Sequence, residues 1–121
     1  MRVAAIDQGT TSTRCIVIED GGECTVADAI RHAQHHPASG WVEHDPEELL
    51  RNIKAVLKAA GPVDAIAMAN QGESCLAWDA ETGKPLAPVI VWQDARTAAM
   101  LAALGVTPSE PAMSVSIDWG R

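Results

Sequence analysis

The segment AAIDQGTTSTRCIVIED, residues 4–20, constrains the fold more than any other part of this chain. Two runs rich in Val, Ile and Ala, residues 2–7 and 14–19, flank QGTTST and read as a β-hairpin with a wide, glycine-containing turn. Strand propensity explains the arms but not the tip, which carries Asp7, Gly9, Thr10, Thr11, Ser12 and Arg14. Consecutive backbone N–H groups beside a glycine can form an anion-binding nest. A carboxylate at a strand end can hold the hydration shell of Mg²⁺. Amides and hydroxyls for a phosphate, a carboxylate for a metal and an arginine for residual charge make one coherent set; the alternative is a polar hairpin turn. No Walker A loop and no GxGxxG occur.

DGGE (20–23) marks a second turn, so residues 24–34 are expected to add a third antiparallel strand. HHPASGW (35–41) reads as a loop. HDPEELLRNIKAVLKAAG (44–61) is the clearest helix. Asp45 caps it, Pro46 takes the first helical position, and Glu48 completes a capping-box pattern. Leu49, Leu50, Ile53, Val56, Leu57 and Ala60 share one apolar stripe, and Gly61 with Pro62 ends it. VDAIAMAN (63–70) is a near-continuous apolar run, as in a central strand buried on both faces. SCLAWD (74–79) and PVIVWQD (88–94) read as strands joined by a turn in AETGKP, and residues 95–104 as a second helix. The expected architecture is α/β, a mixed sheet with flanking helices.

Composition narrows the function. The 121 residues suffice for one domain, and 47% hydrophobic content makes it globular. A net charge of −7 argues against a nucleic-acid partner, which needs Lys and Arg at its phosphates. No apolar run reaches the ~20 residues of a membrane span, and the N-terminus carries no signal-peptide pattern, so a cytoplasmic location is expected. Cys15, Cys24 and Cys75 are odd in number and widely spaced, which suits reduced thiols. His32, His35, His36 and His44 complete no ligand set and are expected to face solvent.

DQGTTSTR resembles the phosphate motif of the FGGY carbohydrate kinases, within the actin-like, ribonuclease-H-like ATPase folds. GWVEHDPEELL (40–50), NQGES (70–74), WDAETGKPL (78–86) and VIVWQDARTA (89–98) are similar to segments of the glycerol-kinase branch, in the same order. The resemblance implies ATP and Mg²⁺ as cofactors and a small polyol or sugar as substrate. It implies that Asp7 supports the metal, that Gly9, Thr10, Thr11 and Ser12 lie against the phosphates, and that Arg14 faces the ADP end. Glu73 would accept hydrogen bonds from substrate hydroxyls. Trp92 would lay its indole face on the carbon chain, with Gln71 and Asp94 bordering the site. An indole face on C–H groups beside a carboxylate on hydroxyls is sound polyol chemistry in itself.

Gly72 departs from the family pattern, which has an arginine there. The resemblance covers residues 1–104, read as part of an N-terminal kinase domain, with 105–121 as tail or linker. It implies a second domain carrying the catalytic base and the adenosine site. A C-terminal kinase domain is therefore the expected partner, with self-association through the cleft side in its absence. The chain alone is expected to be inactive. The rival reading is a non-catalytic module that binds a polyol, a phosphate or a partner subunit.

Overall fold

A computed structural model describes residues 1–105. The hairpin is β1 (Val3–Gln8) and β2 (Ser12–Ile18), antiparallel with Gln8 opposite Thr13 and Asp7 opposite Arg14. The strands run further into the polar tip than the apolar residues alone suggest. Ser12 lies in β2, and the turn shrinks to residues 9–11, closed by Gly9 N–H donating to Ser12 O at 2.9 Å. The third strand appears as β3 (Cys24–Arg31), antiparallel to β2 with an irregularity between Cys15 and Ile16.

After β4 (Glu43–His44) comes α1 (Pro46–Ala60), and then β5 (Ala65–Asn70), parallel to β1. The sheet order is β3-β2-β1-β5. Helix α1 packs on β1, β2 and β3, where Val56 and Ala60 meet Ala4, Ile6, Cys15 and Val17. Period-2 alternation puts those strand residues on the one face that α1 covers. The Asp45 carboxylate accepts from Glu47 N–H at 2.9 Å, and Gly61, at φ 70°, closes the helix C-terminus. Glu48 does not complete a capping box; its carboxylate accepts from Ala33 N–H at 3.3 Å and ties the helix to the chain after β3. The apolar stripe is also shifted. Leu50 is 46% exposed and Asn52 is buried in its place.

Among the described residues the run VDAIAMAN does not form a central strand. Residues 65–70 of it form β5 at the sheet edge, all exposed, Ile66 and Met68 included, while Val63 packs against the core. The reason is placement: α1 spans the β1–β3 side and leaves β5 without cover. SCLAWD forms no strand and makes only isolated bridges, Cys75 to Ile90 and Trp78 to Pro85. PVIVWQD contributes only β6 (Val89–Ile90), which pairs antiparallel with β4 in a separate two-stranded sheet. Between these segments Asp79 Oδ1 accepts from Thr82 N–H and Oγ1–H, both at 2.7 Å, and builds the expected turn. The second helix is shorter than expected, α2 (Ala98–Ala103). Apart from Gly105, the tail assigned to 105–121 lies outside the described residues.

Candidate functional site

The polar tip sits at the carboxyl ends of β1 and β5, where ligands of open α/β sheets bind. Gly9 spends its N–H on Ser12 O, so it shapes the turn rather than lending that amide to an anion. Among the described residues the N–H groups of Thr10 and Thr11 meet no acceptor. The Asp7 and Arg14 side chains lie side by side on paired strands, Oδ2 to Nη2 3.9 Å, and both are exposed. Exposed pairs of this kind contribute little to stability, which leaves both groups available to a ligand. No cluster of metal-binding side chains occurs among the described residues. A lone strand-end carboxylate next to free amides suits Mg²⁺, which keeps waters and is commonly held through one carboxylate plus phosphate oxygens.

Thr10 is fixed at several atoms. Its carbonyl accepts from His32 Nε2–H at 2.9 Å and from Gln34 Nε2–H at 3.3 Å. Its hydroxyl accepts from the Trp92 indole N–H at 3.0 Å. Trp92 also donates its backbone N–H to Ser74 Oγ at 3.1 Å, and Cys75 and Ile90 exchange backbone bonds at 2.9 Å. Gln71 donates its backbone N–H to Gln8 O at 3.0 Å, and its side-chain amide reaches Gln8 Oε1 and His44 Nδ1. The segments DQGTTSTR, NQGES and VWQD, far apart in sequence, therefore meet at one end of the sheet.

Within this cluster the nominated residues differ in posture. Trp92 is 44% exposed, so a large part of the indole is open to a ligand. Glu73 is exposed and, among the described residues, its carboxylate has no partner. Glu73 is also the non-glycine residue with positive φ, 62°, a conformation that costs about 1 kcal/mol or more and gathers at ligand sites. Gly72 beside it does not use its own freedom, and a Cβ there would meet nothing within 4 Å. Gln71 turns inward. Asp94 is a strut: its side chain is 2% exposed and accepts from Val42 N–H and from the Arg96 backbone and guanidinium at 2.7–2.9 Å. Arg96 holds the Asp94 carboxyl well below the usual carboxylate range. Arg96 also bonds Glu43 at 2.8 Å and stacks on Trp41, 4.0 Å from the ring centroid.

Histidine placement corrects the expectation of solvent-facing rings. His35 and His36 are exposed, but His32 is 9% exposed and His44 is fully buried. The two buried rings meet edge to face, centroids 4.6 Å apart. Burial first, then the nearby His32 and His35, lower the His44 pKa to about 4, so it stands neutral. His32, Gln34, Ser74 and Arg96 are the supporting residues that sequence reasoning missed. The i, i+2 spacing of His32 and Gln34, which puts both on one face of an extended chain, was the available signal.

The N-terminal domain profile of the FGGY family of carbohydrate kinases matches residues 2–114. The chain belongs to this family. The glycerol kinase of Saccharopolyspora erythraea is 46% identical over 103 residues, 78% of this chain and 21% of that protein. A crystal structure of Plasmodium falciparum glycerol kinase with ADP superposes with a TM-score of 0.75 at 31% identity, covering 85% of this chain and 22% of that one. Gluconate kinase from Lactobacillus acidophilus superposes at 0.77 with 18% identity, which speaks for the fold alone. The FGGY chain described here thus spans about a fifth of the length of the relatives it matches. Its fold is that of the N-terminal part of the actin-like ATPase architecture, as the resemblance implied.

Proposed function

We propose that this chain is the N-terminal part of an ATP-dependent polyol kinase of the glycerol-kinase type, which moves the γ-phosphoryl of ATP to a polyol hydroxyl. The observation that supports it best is the Trp92–Thr10 bond, which brings the polyol-type wall against the phosphate-type turn. Bound Mg-ATP supplies the phosphoryl group. Asp7 would hold the metal, and Arg14 would balance charge at the diphosphate end. The free N–H groups of Thr10 and Thr11, with the Ser12 hydroxyl, hold phosphate oxygens. Glu73 orients the acceptor hydroxyls and Trp92 covers the carbon chain, while Gln71 and Asp94 keep these segments in place. This work is positioning and charge stabilisation, the main sources of catalysis in phosphoryl transfer. The base and the adenosine pocket are assigned to the remainder of the kinase, and the location to the cytoplasm. Among the described residues no helix is long and apolar enough to cross a membrane.

ADP release from Mg-ATP by the full-length gene product, with glycerol and longer polyols, tests this reading. Polyol-dependent ADP release is expected from that product, and none from the 121-residue chain alone. ATP hydrolysis by the full-length product that ignores every polyol overturns the reading.

A further inference from the structure

The Thr10 hydroxyl stands where the phosphate turn meets the polyol wall, and its hydrogen-bond inventory is asymmetric. An indole N–H can only donate, so the 3.0 Å contact from Trp92 Nε1 makes Thr10 Oγ1 an acceptor. The hydroxyl proton remains free to donate. His32 and Gln34 hold the Thr10 carbonyl, which fixes the backbone that carries this hydroxyl. The neighbouring Thr10 and Thr11 N–H groups are unpartnered among the described residues, so the free proton lies beside donors already suited to an anion. A hydroxyl that donates to an anion becomes a better acceptor, because chained hydrogen bonds polarise one another. An anion on the turn therefore tightens the bond that sets the Trp92 indole.

We propose that Thr10 couples the two halves of the site: phosphate bound at residues 9–12 locks the Trp92 indole into its polyol-facing position, and an ordered Trp92 strengthens phosphate binding in return. The coupling rests on the kinase reading above, and its reciprocity is a thermodynamic requirement. Thr10 and Trp92 act here as positioning residues for each other's ligand.

The test is NMR of the ¹⁵N-labelled 121-residue chain, with inorganic phosphate as probe and the Trp92 indole signal assigned through Trp92→Phe. In the free chain, Thr10→Val is expected to shift the Trp92 indole N–H resonance, and Thr10→Ser to leave it in place. On phosphate titration the amides of residues 9–12 and the Trp92 indole should move together with one dissociation constant, in the wild type and in Thr10→Ser. In Thr10→Val phosphate should bind on the order of tenfold more weakly, as for loss of one hydrogen bond to a charged group, and the indole should stay still. Loop amides that respond while the wild-type indole does not would overturn the coupling and leave the phosphate site standing. Loop amides that ignore phosphate would overturn the reading of the turn itself, and the coupling with it.

Discussion

On the proposed kinase reading, Gly72 is the residue expected to set substrate preference. The arginine that the resemblance places there would donate to polyol hydroxyls, and glycine has no side chain to donate; losing a hydrogen bond to a charged group costs about 1.5–3 kcal/mol. A Cβ at Gly72 meets nothing within 4 Å and its backbone is not left-handed, so an arginine fits without strain there. In the full-length kinase proposed above, Gly72→Arg is expected to lower KM for glycerol about tenfold or more, and an unchanged kcat/KM would show that another donor already fills the role. On the same reading Asp7 serves the phosphate half of the site. It is exposed and only loosely paired with Arg14, so Asp7→Ala should leave the fold intact. Turnover should fall by a few kcal/mol of transition-state stabilisation, ~10² or more in kcat, with polyol affinity little changed. Near-full kcat at saturating Mg²⁺ would remove Asp7 from the metal's surroundings.

Among the elements, β4 is expected to contribute a pH dependence of stability. His44, buried there, has its pKa lowered to about 4, against ~6.5 when unfolded. Between those values the unfolded chain binds a proton that the folded chain refuses, so stability falls as pH drops through this window and is complete above it. The expected loss from pH 7 to pH 5 is about 2 kcal/mol. Urea unfolding at the two pH values measures it, and His44→Gln should remove most of the difference. An equal loss in His44→Gln would assign the dependence to other groups. Helix α1 gives a simpler case. Asp45 caps it at 2.9 Å, so Asp45→Ala should destabilise the fold by about 1 kcal/mol, readable as a lower urea midpoint at unchanged m-value.

On the scale of the whole molecule, β5 is the exposed element. Its Ile66 and Met68 are each 56% exposed, and its outer edge pairs with nothing among the described residues. Between β5 and α1 lies a cavity of about 280 Å³ lined by Leu49, Leu50, Ile53 and Met68. Parallel strands are ordinarily buried on both faces, and unpaired edges invite association. Sedimentation velocity over a dilution series should therefore show the 121-residue chain self-associating despite its net charge of −7. A stable monomer at tens of micromolar would show that the uncovered edge is tolerated.

The hairpin, the polar turn, helix α1 with its cap, and the turn around Asp79 were legible in the sequence. Each depends on local chemistry: alternation, a capping side chain, or a glycine where φ must be positive. The motifs and their order also carried the family resemblance. What the sequence could not decide was which surfaces meet. VDAIAMAN has the hydrophobicity of a buried strand, yet among the described residues it pairs on one side only and α1 crosses the other strands, leaving its face uncovered. His32 and His44 look like surface residues, yet they are buried because β4 and the end of β3 converge beneath the turn. Asp94 reads as bordering the substrate site, and no local pattern shows that Arg96 and Val42 engage its carboxylate. Trp92 and Thr10 are 82 positions apart, and no local pattern encodes a contact at that separation. Only the packed sheet sets Trp92 against the turn, and with it the geometry on which the kinase reading rests.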